Sequence, residues 1–232
     1  MNADVNSLGQ AIGPPLSDWN PPPRPRRETM HGRYCRLEPL DAARHAGGLH
    51  AANTLDREGR MWTYLFSGPF TSLAEFTAWL EAREDSLDPL FYAIVDGSTG
   101  QATGLASYLR IDIAHGVMEV GHLAFSPLLQ RTPAATEAMY LMMRHAFELG
   151  YRRYEWKCDA LNAASRRAAE RLGFTFEGIF RQAVVYKGRN RDTAWYSLID
   201  RDWPNRETAF LAWLDPANFD SHGRQRRRLH GD

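Results

Sequence analysis

The stretch Met118 to Ala135, MEVGHLAFSPLLQRTPAA, brings together residue types that could bind an anion. An apolar run from Val117 to Phe125 reads as a strand, Ser126 and Pro127 end it, and an amphipathic pattern begins at Pro133. Thr132 can cap the following helix through its hydroxyl. Pro133 suits the first helical position, where an N–H would have no intrahelical partner. Backbone amides around Gln130, Arg131 and Thr132, with those of Ala134 and Ala135, would then face outward at the positive end of the helix dipole, beside the Arg131 side chain. A helix start of this kind is a phosphate site. The two alanines let a bulky ligand approach the backbone. The plainer reading of the same residues is a capped helix with no ligand, and this motif alone does not choose between them.

The elements that must hold this loop can be read in order. At 232 residues, with 44% hydrophobic and 24% charged, the chain is long enough for one sizeable core. Its 28 basic and 28 acidic side chains cancel, so no overall field draws it to nucleic acid or membrane. Cys35 and Cys158 lack metal spacing and read as reduced, partly buried thiols. No long apolar run or secretory pattern opens the chain, which predicts a cytoplasmic, soluble protein without a bound metal.

Residues 1–31 form a Pro-rich arm whose GPPLSDWNPPPRPRR run forbids regular helix or ladder pairing, laid over the domain by Leu16 and Trp19. A main domain over 32–203 follows, then a helix from Pro204 to Leu214 and a basic, mobile tail GRQRRRLHGD within 204–232. In the domain, Gly32 to Leu40 predicts a first strand and Asp41 to Asn53 a helix weakened by Gly47 and Gly48. The stretch with Trp62, Tyr64, Phe66 and Phe70 could wall a substrate site, although rings of this kind more often pack on a sheet. A helix from Ser72 to Arg83 precedes strands at Leu90 to Val95 and Ala102 to Ile113. After the focal strand and a helix from Pro133 to Leu149, a strand spans Arg153 to Cys158 and a short helix Asn162 to Leu172. Two last strands, Phe174 to Tyr186 and Asp192 to Asp200, turn at Lys187 to Arg191. This order predicts an α/β (α+β) fold: a mixed, mostly antiparallel sheet of about seven strands with helices on both faces, and one parallel pair made by a right-handed crossover.

The run NAASRRAAERLGF, with Asn162, Ser165, Leu172, Gly173 and Phe174, follows a strand that itself follows GHLAFSPLLQRTPAA. In that combination the chain resembles the acetyl-CoA-dependent N-acetyltransferases of the GNAT superfamily. The continuation FTFEGIFRQAVVYKGRNRDTAWYSLIDRDW resembles its ribosomal-protein alanine N-acetyltransferase branch. The resemblance spans about Gly32 to Trp203 and implies the superfamily's acyl-CoA N-acyltransferase fold, acetyl-CoA as cosubstrate and an amine acceptor. It implies that backbone groups at Leu123, Ala124 and Phe125 pair with pantetheine, with Gly121 making a bulge there easy. It also implies that the loop holds the diphosphate at positions matching Gln130, Pro133 and Ala135. Pro133 departs from the family pattern and cannot donate an amide, so Arg131 or Thr132 would compensate. Asn162 matches a pantetheine-binding residue and is also a good helix cap, while Ser165 matches a serine that protonates the departing thiolate. The tyrosine acid of many relatives is replaced by Ala169, and the branch's carboxylate by Val184.

Acyl transfer to an amine needs the amine neutral and the leaving thiolate stabilised. Glu119 and His122 on the focal strand are the candidates for the base, with Glu119 slightly preferred because relatives often carry a carboxylate on this strand. Their opposite parity would let a regular strand aim only one of them inward. Asp159 and Tyr186 are weaker choices, and no GxSxG nucleophile elbow supports a hydrolase. Two functions follow. The first is an N-acetyltransferase acting on a protein N-terminus or a small-molecule amine by direct attack in a ternary complex, with no nucleic-acid or membrane partner and a homodimer left open. The second, motivated by Pro133, Ala169 and Val184, is a CoA-binding or interaction protein without turnover.

Overall fold

A computed structural model describes residues 4–229. Eight strands form one sheet in the order β3-β4-β5-β6-β7-β8-β10-β9. They are β3 (Met30–His31), β4 (Cys35–Pro39), β5 (Leu90–Asp96), β6 (Ala102–Asp112), β7 (Val117–Phe125), β8 (Arg153–Asp159), β9 (Thr175–Tyr186) and β10 (Arg189–Ile199). Every neighbouring pair is antiparallel except β7 and β8, which the helix α3 (Pro133–Glu148) joins as a parallel crossover. The mixed sheet is as the sequence predicts, with Met30–His31 as an additional edge strand.

Alternation along the strands sorts side chains onto two faces. On β5, Tyr92 and Ile94 enter one core with Tyr108, Met118, Val120, Tyr154 and Trp156. Helix α3 covers this core with Met139, Met142, Met143 and Ala146, and α5 (Trp203–Leu214) adds Phe210 and Trp213. Phe91, Ala93 and Val95 enter the other core, under α1 (Ala42–Asn53) and α2 (Leu73–Glu84). Asp41 and Ser72 cap these two helices by accepting from the amides of Arg44 and Glu75. Helix α1 forms where the sequence predicts it and runs unbroken through Gly47 and Gly48. Gly48 lies against Ala102, where an added Cβ would sit 3.3 Å from the backbone nitrogen, so the residue that lowers helix propensity permits the close approach to β6.

The proline-rich arm departs from its expectation in two ways. Its described part opens with a small hairpin, β1 (Asp4–Val5) on β2 (Ala11–Ile12), and Leu16 is exposed. Core tyrosines hold the arm instead: Tyr151 donates to the Pro23 carbonyl at 3.2 Å and Tyr92 to that of Arg26 at 3.0 Å, while Trp19 lies under Arg152. The basic tail is likewise not free along its described length. Asn218 accepts from the Arg227 amide at 2.8 Å and Leu229 enters the core; residues 230–232 lie outside the described residues.

One buried carboxylate ties α3 to the start of the sheet. Glu137 accepts from three consecutive amides, Arg33 at 2.8 Å, Tyr34 at 2.6 Å and Cys35 at 2.8 Å. A Cβ on Gly32 would stand 2.4 Å from its carboxylate, so glycine is required there. Removing the acceptor strands three partly buried donors, each costing about 1–3 kcal/mol. Glu137→Ala is therefore expected to lose at least ~3 kcal/mol in chemical denaturation, and a loss under ~1 kcal/mol would show that water replaces the carboxylate.

Candidate active site

The centre of the site is a bulge in β7. Leu109, Ser107 and Leu105 of β6 pair with Glu119, Gly121 and Ala124 of β7, so one extra residue lies between Gly121 and Ala124. His122 takes up the bulge with φ 50°, the left-handed region. Gly121 has a different role from the one expected of it: a Cβ there would meet Leu109 Cδ2 at 2.8 Å, so its value is close approach. The parallel ladder with β8 ends at Val120, opposite Trp156, and the rest of β7 has no partner on that side.

This opening frees part of the backbone assigned to pantetheine. Ser126 N–H donates to the Thr103 carbonyl, so alternation directs Ala124 toward β6 and leaves Leu123 and Phe125 toward the gap. Ala124 is thereby corrected: its backbone is committed to β6 and its methyl to the core under α1 and α2. The Phe125 carbonyl accepts from the Gln130 side chain at 2.7 Å.

The loop to α3 is tighter than expected. The Gln130 amide donates to Ser126, the Thr132 amide to Leu129, and the Ala135 amide to the Thr132 hydroxyl at 3.2 Å. These three amides are not free for a ligand, a correction to the expected cradle. Arg131, at φ 61°, and Ala134 keep amides without partners among the described residues, and the Arg131 side chain is exposed beside them. A cavity of about 250 Å³ opens against Thr132, Pro133 and Ala134. What the loop offers to an anion is two amides, one guanidinium and the helix dipole.

Across the gap stands α4 (Ala163–Arg171). Asn162 caps it, accepting from the Ser165 amide at 3.0 Å, with no partner seen for its own side-chain N–H groups. The Ser165 hydroxyl accepts from the Trp156 indole at 3.0 Å and lies beside the Cys158 thiol, whose pKa burial raises. Ala169 is fully buried, which leaves no room for a tyrosine there. Arg171 reaches back to the Thr136 hydroxyl at 3.1 Å and joins α4 to the first turn of α3.

The opposite face of the sheet carries the titratable groups. Because of the bulge, Glu119 and His122 lie on the same face, which removes the parity objection. Glu119 is buried in a charge network, with Arg110 at 2.6 Å and Lys157 at 2.9 Å. Lys157 also meets Glu155 at 2.7 Å and stands over the Trp195 ring. His122 Nδ1 is 2.8 Å from the Ser107 hydroxyl, which donates to the Gly121 carbonyl. If the Ser107 proton stays on the Gly121 carbonyl, Nδ1–H donates to Ser107 and the lone pair falls on Nε2, which has no partner among the described residues. Burial, then the charges of Arg83 and Arg110, push the His122 pKa down to about 4. His122 stands outside these ion pairs, whereas Glu119 is held between Arg110 and Lys157.

The acceptor wall is also divided. Trp62 and Phe70 pack edge to face in the core under α2, the plainer role. Tyr64 donates to the Leu161 carbonyl at 3.3 Å, and Lys187 donates to the Trp62 carbonyl at 2.8 Å, so the loop is pinned against β8 and the last hairpin. Tyr186 donates to Asp159 at 2.8 Å, and burial followed by that carboxylate pushes its pKa up to about 12. The hairpin turn is shorter than expected: Tyr186 pairs with Arg189, and Lys187 and Gly188 at φ 46° and 69° make a type I′ turn. Arg189 and Arg191 therefore belong to β10. Glu137, Lys157 and Arg191 were not singled out from the sequence, since a charged residue on an alternating strand or helix reads as solvated.

With this geometry in place the class follows. Residues 35–175 match the family model described as acetyltransferase (GNAT) domain, and the chain belongs to that family. The crystal structure of a GCN5-related N-acetyltransferase from Brucella melitensis is 51% identical, with a TM-score of 0.90 over 92% of this chain and 97% of that one. A GNAT-family acetyltransferase structure from Chromobacterium violaceum ATCC 12472 is 42% identical, with a TM-score of 0.77 over 82% of this chain and 96% of that one. YdaF of Bacillus subtilis (strain 168), provisionally named a ribosomal N-acetyltransferase, is 26% identical over 177 residues, 72% of this chain and 90% of YdaF. Among the described residues, no helix is long and apolar enough to cross a membrane, and no group of His, Cys, Asp and Glu is placed to hold a metal ion.

The depressed His122 pKa has a sign. The unfolded imidazole binds a proton below about pH 6.5, whereas the folded one stays neutral until about pH 4. Between those values the unfolded state holds more protons, so stability falls as pH falls through that window. Denaturation midpoints measured from pH 7 to 4 should drop less steeply for His122→Gln than for the parent, and parallel curves would remove His122 as the cause.

Proposed function

We propose that the chain is an N-acetyltransferase that passes acetyl from acetyl-CoA to a primary amine, a protein N-terminus or a small-molecule amine, by direct attack in a ternary complex. The observation that carries this reading is the parting of β7 from β8 beyond Val120, beside the start of α3, in a chain of the acetyltransferase family. The provisional name of the Bacillus subtilis relative supports a ribosomal-protein N-terminus as one acceptor.

In this reading the pantetheine arm pairs with Leu123 and Phe125 and meets the side-chain amide of Asn162. The diphosphate lies at the Arg131 and Ala134 amides and the Arg131 guanidinium. The amine nitrogen forms its bond to the thioester carbonyl carbon while His122 Nε2 accepts the amine proton. As the C–S bond breaks, the thiolate takes a proton from Ser165, whose oxygen the Trp156 indole holds in place; water returns a proton to Ser165 as His122 releases the amine proton to solvent. An imidazole whose pKa burial pushes down to about 4 is unprotonated at neutral pH. An α-amine, with pKa about 7.7–8.0, needs less help than a lysine side chain at about 10.4. Glu119 acts one step away: its charge compensates the buried Lys157 and the Arg110 beside it.

Calorimetric titration with acetyl-CoA, followed by thiol release with an amine panel, tests this. Binding and turnover are expected. Binding without turnover would favour a CoA-binding protein, and no binding would mean that the two free amides beside Pro133 are insufficient. His122→Gln should lower kcat roughly 10²-fold or more with acetyl-CoA affinity retained. If Glu119→Gln lowers kcat as much while His122→Gln does not, the carboxylate is the base. Ala134→Glu should weaken acetyl-CoA binding at least tenfold; unchanged affinity would take the loop out of the site.

A further inference from the structure

The opposite side of the site holds a charge without a counter-charge. Arg191 is 8% exposed, yet it has neither an ion pair nor a hydrogen bond among the described residues. Its guanidinium lies between two rings, 5.4 Å from the centre of Phe66 and 5.9 Å from that of Tyr186. Ring faces attract the cation but cannot accept its five N–H donors in the plane of the fork. Nε is closed to solvent and unpartnered. Asp159, which accepts from the Tyr186 hydroxyl and from the Leu161 amide, makes no ion pair with Arg191. By contrast, Arg36, Arg110 and Arg153 each meet a glutamate.

The same face of β10 repeats the pattern. Two and four residues on, the Thr193 hydroxyl and the Trp195 indole nitrogen are also buried without partners. Thr193 pairs with Asp159, the residue after Cys158, and Cys158 lies beside Ser165. The row of unspent donors therefore runs along the strand next to β8, toward the end where the thiolate acid stands on the other face. Buried donors in a row call for an oxygen acceptor, and an unpaired guanidinium calls for an anionic one.

We infer that Arg191 anchors the acceptor through a carboxylate, so that the acceptor class is a primary amine that also carries an anionic oxygen group. This rests on the acetyl-transfer reading for the chemistry but not for the binding. Phe66 and Tyr186 hold the guanidinium plane, and its N–H fork takes the carboxylate in two parallel bonds. The carboxylate can be that of a free amino acid or the side chain of an acidic residue near a peptide N-terminus.

Matched acceptors separate these cases: amino acids against their carboxamides, and peptides with Glu against Gln at the second position. Each pair is assayed for kcat/KM and titrated calorimetrically into the full chain saturated with CoA. The acidic member of at least one pair should be favoured tenfold or more in both readouts. Arg191→Met should erase that preference with acetyl-CoA affinity unchanged. Arg191→Lys, which keeps the charge and guards against misfolding of the methionine variant, should retain part of it. Equal binding of acid and amide in both sets, or a preference that survives in Arg191→Met, overturns the anchor. Acid-selective binding to the CoA complex with no acetyl transfer leaves the anchor standing and defeats the transferase reading.

Discussion

The extra residue in β7 is the constraint on which the site depends. A regular strand of this length would pair with β8 throughout, close the sheet and spend every amide on the ladder. Placing His122 in the left-handed region ends the parallel pairing at Val120 and opens a gap flanked by α3 and α4. The same distortion turns His122 onto the face of Glu119, under the charges of Arg83 and Arg110. A β-bulge costs ladder bonds locally. Here it is held by the Ser107 hydroxyl between the Gly121 carbonyl and the imidazole, and by the contact of the ring with Phe91.

The two faces of the sheet then divide the labour. One face is covered by α3, α5 and the arm, and opens at the gap with the helix starts beside it. The other is covered by α1 and α2 as far as β6, and leaves β7, β8, β10 and β9 to a network of charges. Within that network Glu119, Lys157 and Glu155 form a buried chain, with Arg110 and Arg153 against its two ends. Such pairing keeps desolvated charges tolerable. His122 and the Arg191 guanidinium stand outside that chain of ion pairs.

The resemblance to acetyltransferases was legible because it rested on spacing along the chain: a strand, a capped helix start, a second strand, then Asn162 and Ser165. Thr132 as cap, Pro133 at the first turn and the stripe of Met139, Met142 and Met143 are local signals, and each is present. The expected amide cradle was less legible. Whether Gln130, Thr132 and Ala135 offer their amides depends on how the turn folds back on Ser126 and Leu129, which no local pattern states.

Hydrophobic period and capping residues act over a few residues, so the main strands and helices, the caps at Asp41 and Thr132 and the family were legible in the chain, while the short strands β1, β2 and β3 were not. Only the tertiary structure decided which charges are spent. Glu137 reads as a helix surface residue until three amides from the start of the sheet converge on it, and Glu119 reads as a free base until Arg110 and Lys157 close on it. Arg191 reads as part of a turn until Phe66, brought from far earlier in the chain, covers it. The physical reason is the same in each case: what a charged group can do depends on its desolvation and on partners distant in sequence, and those exist only once the chain has folded.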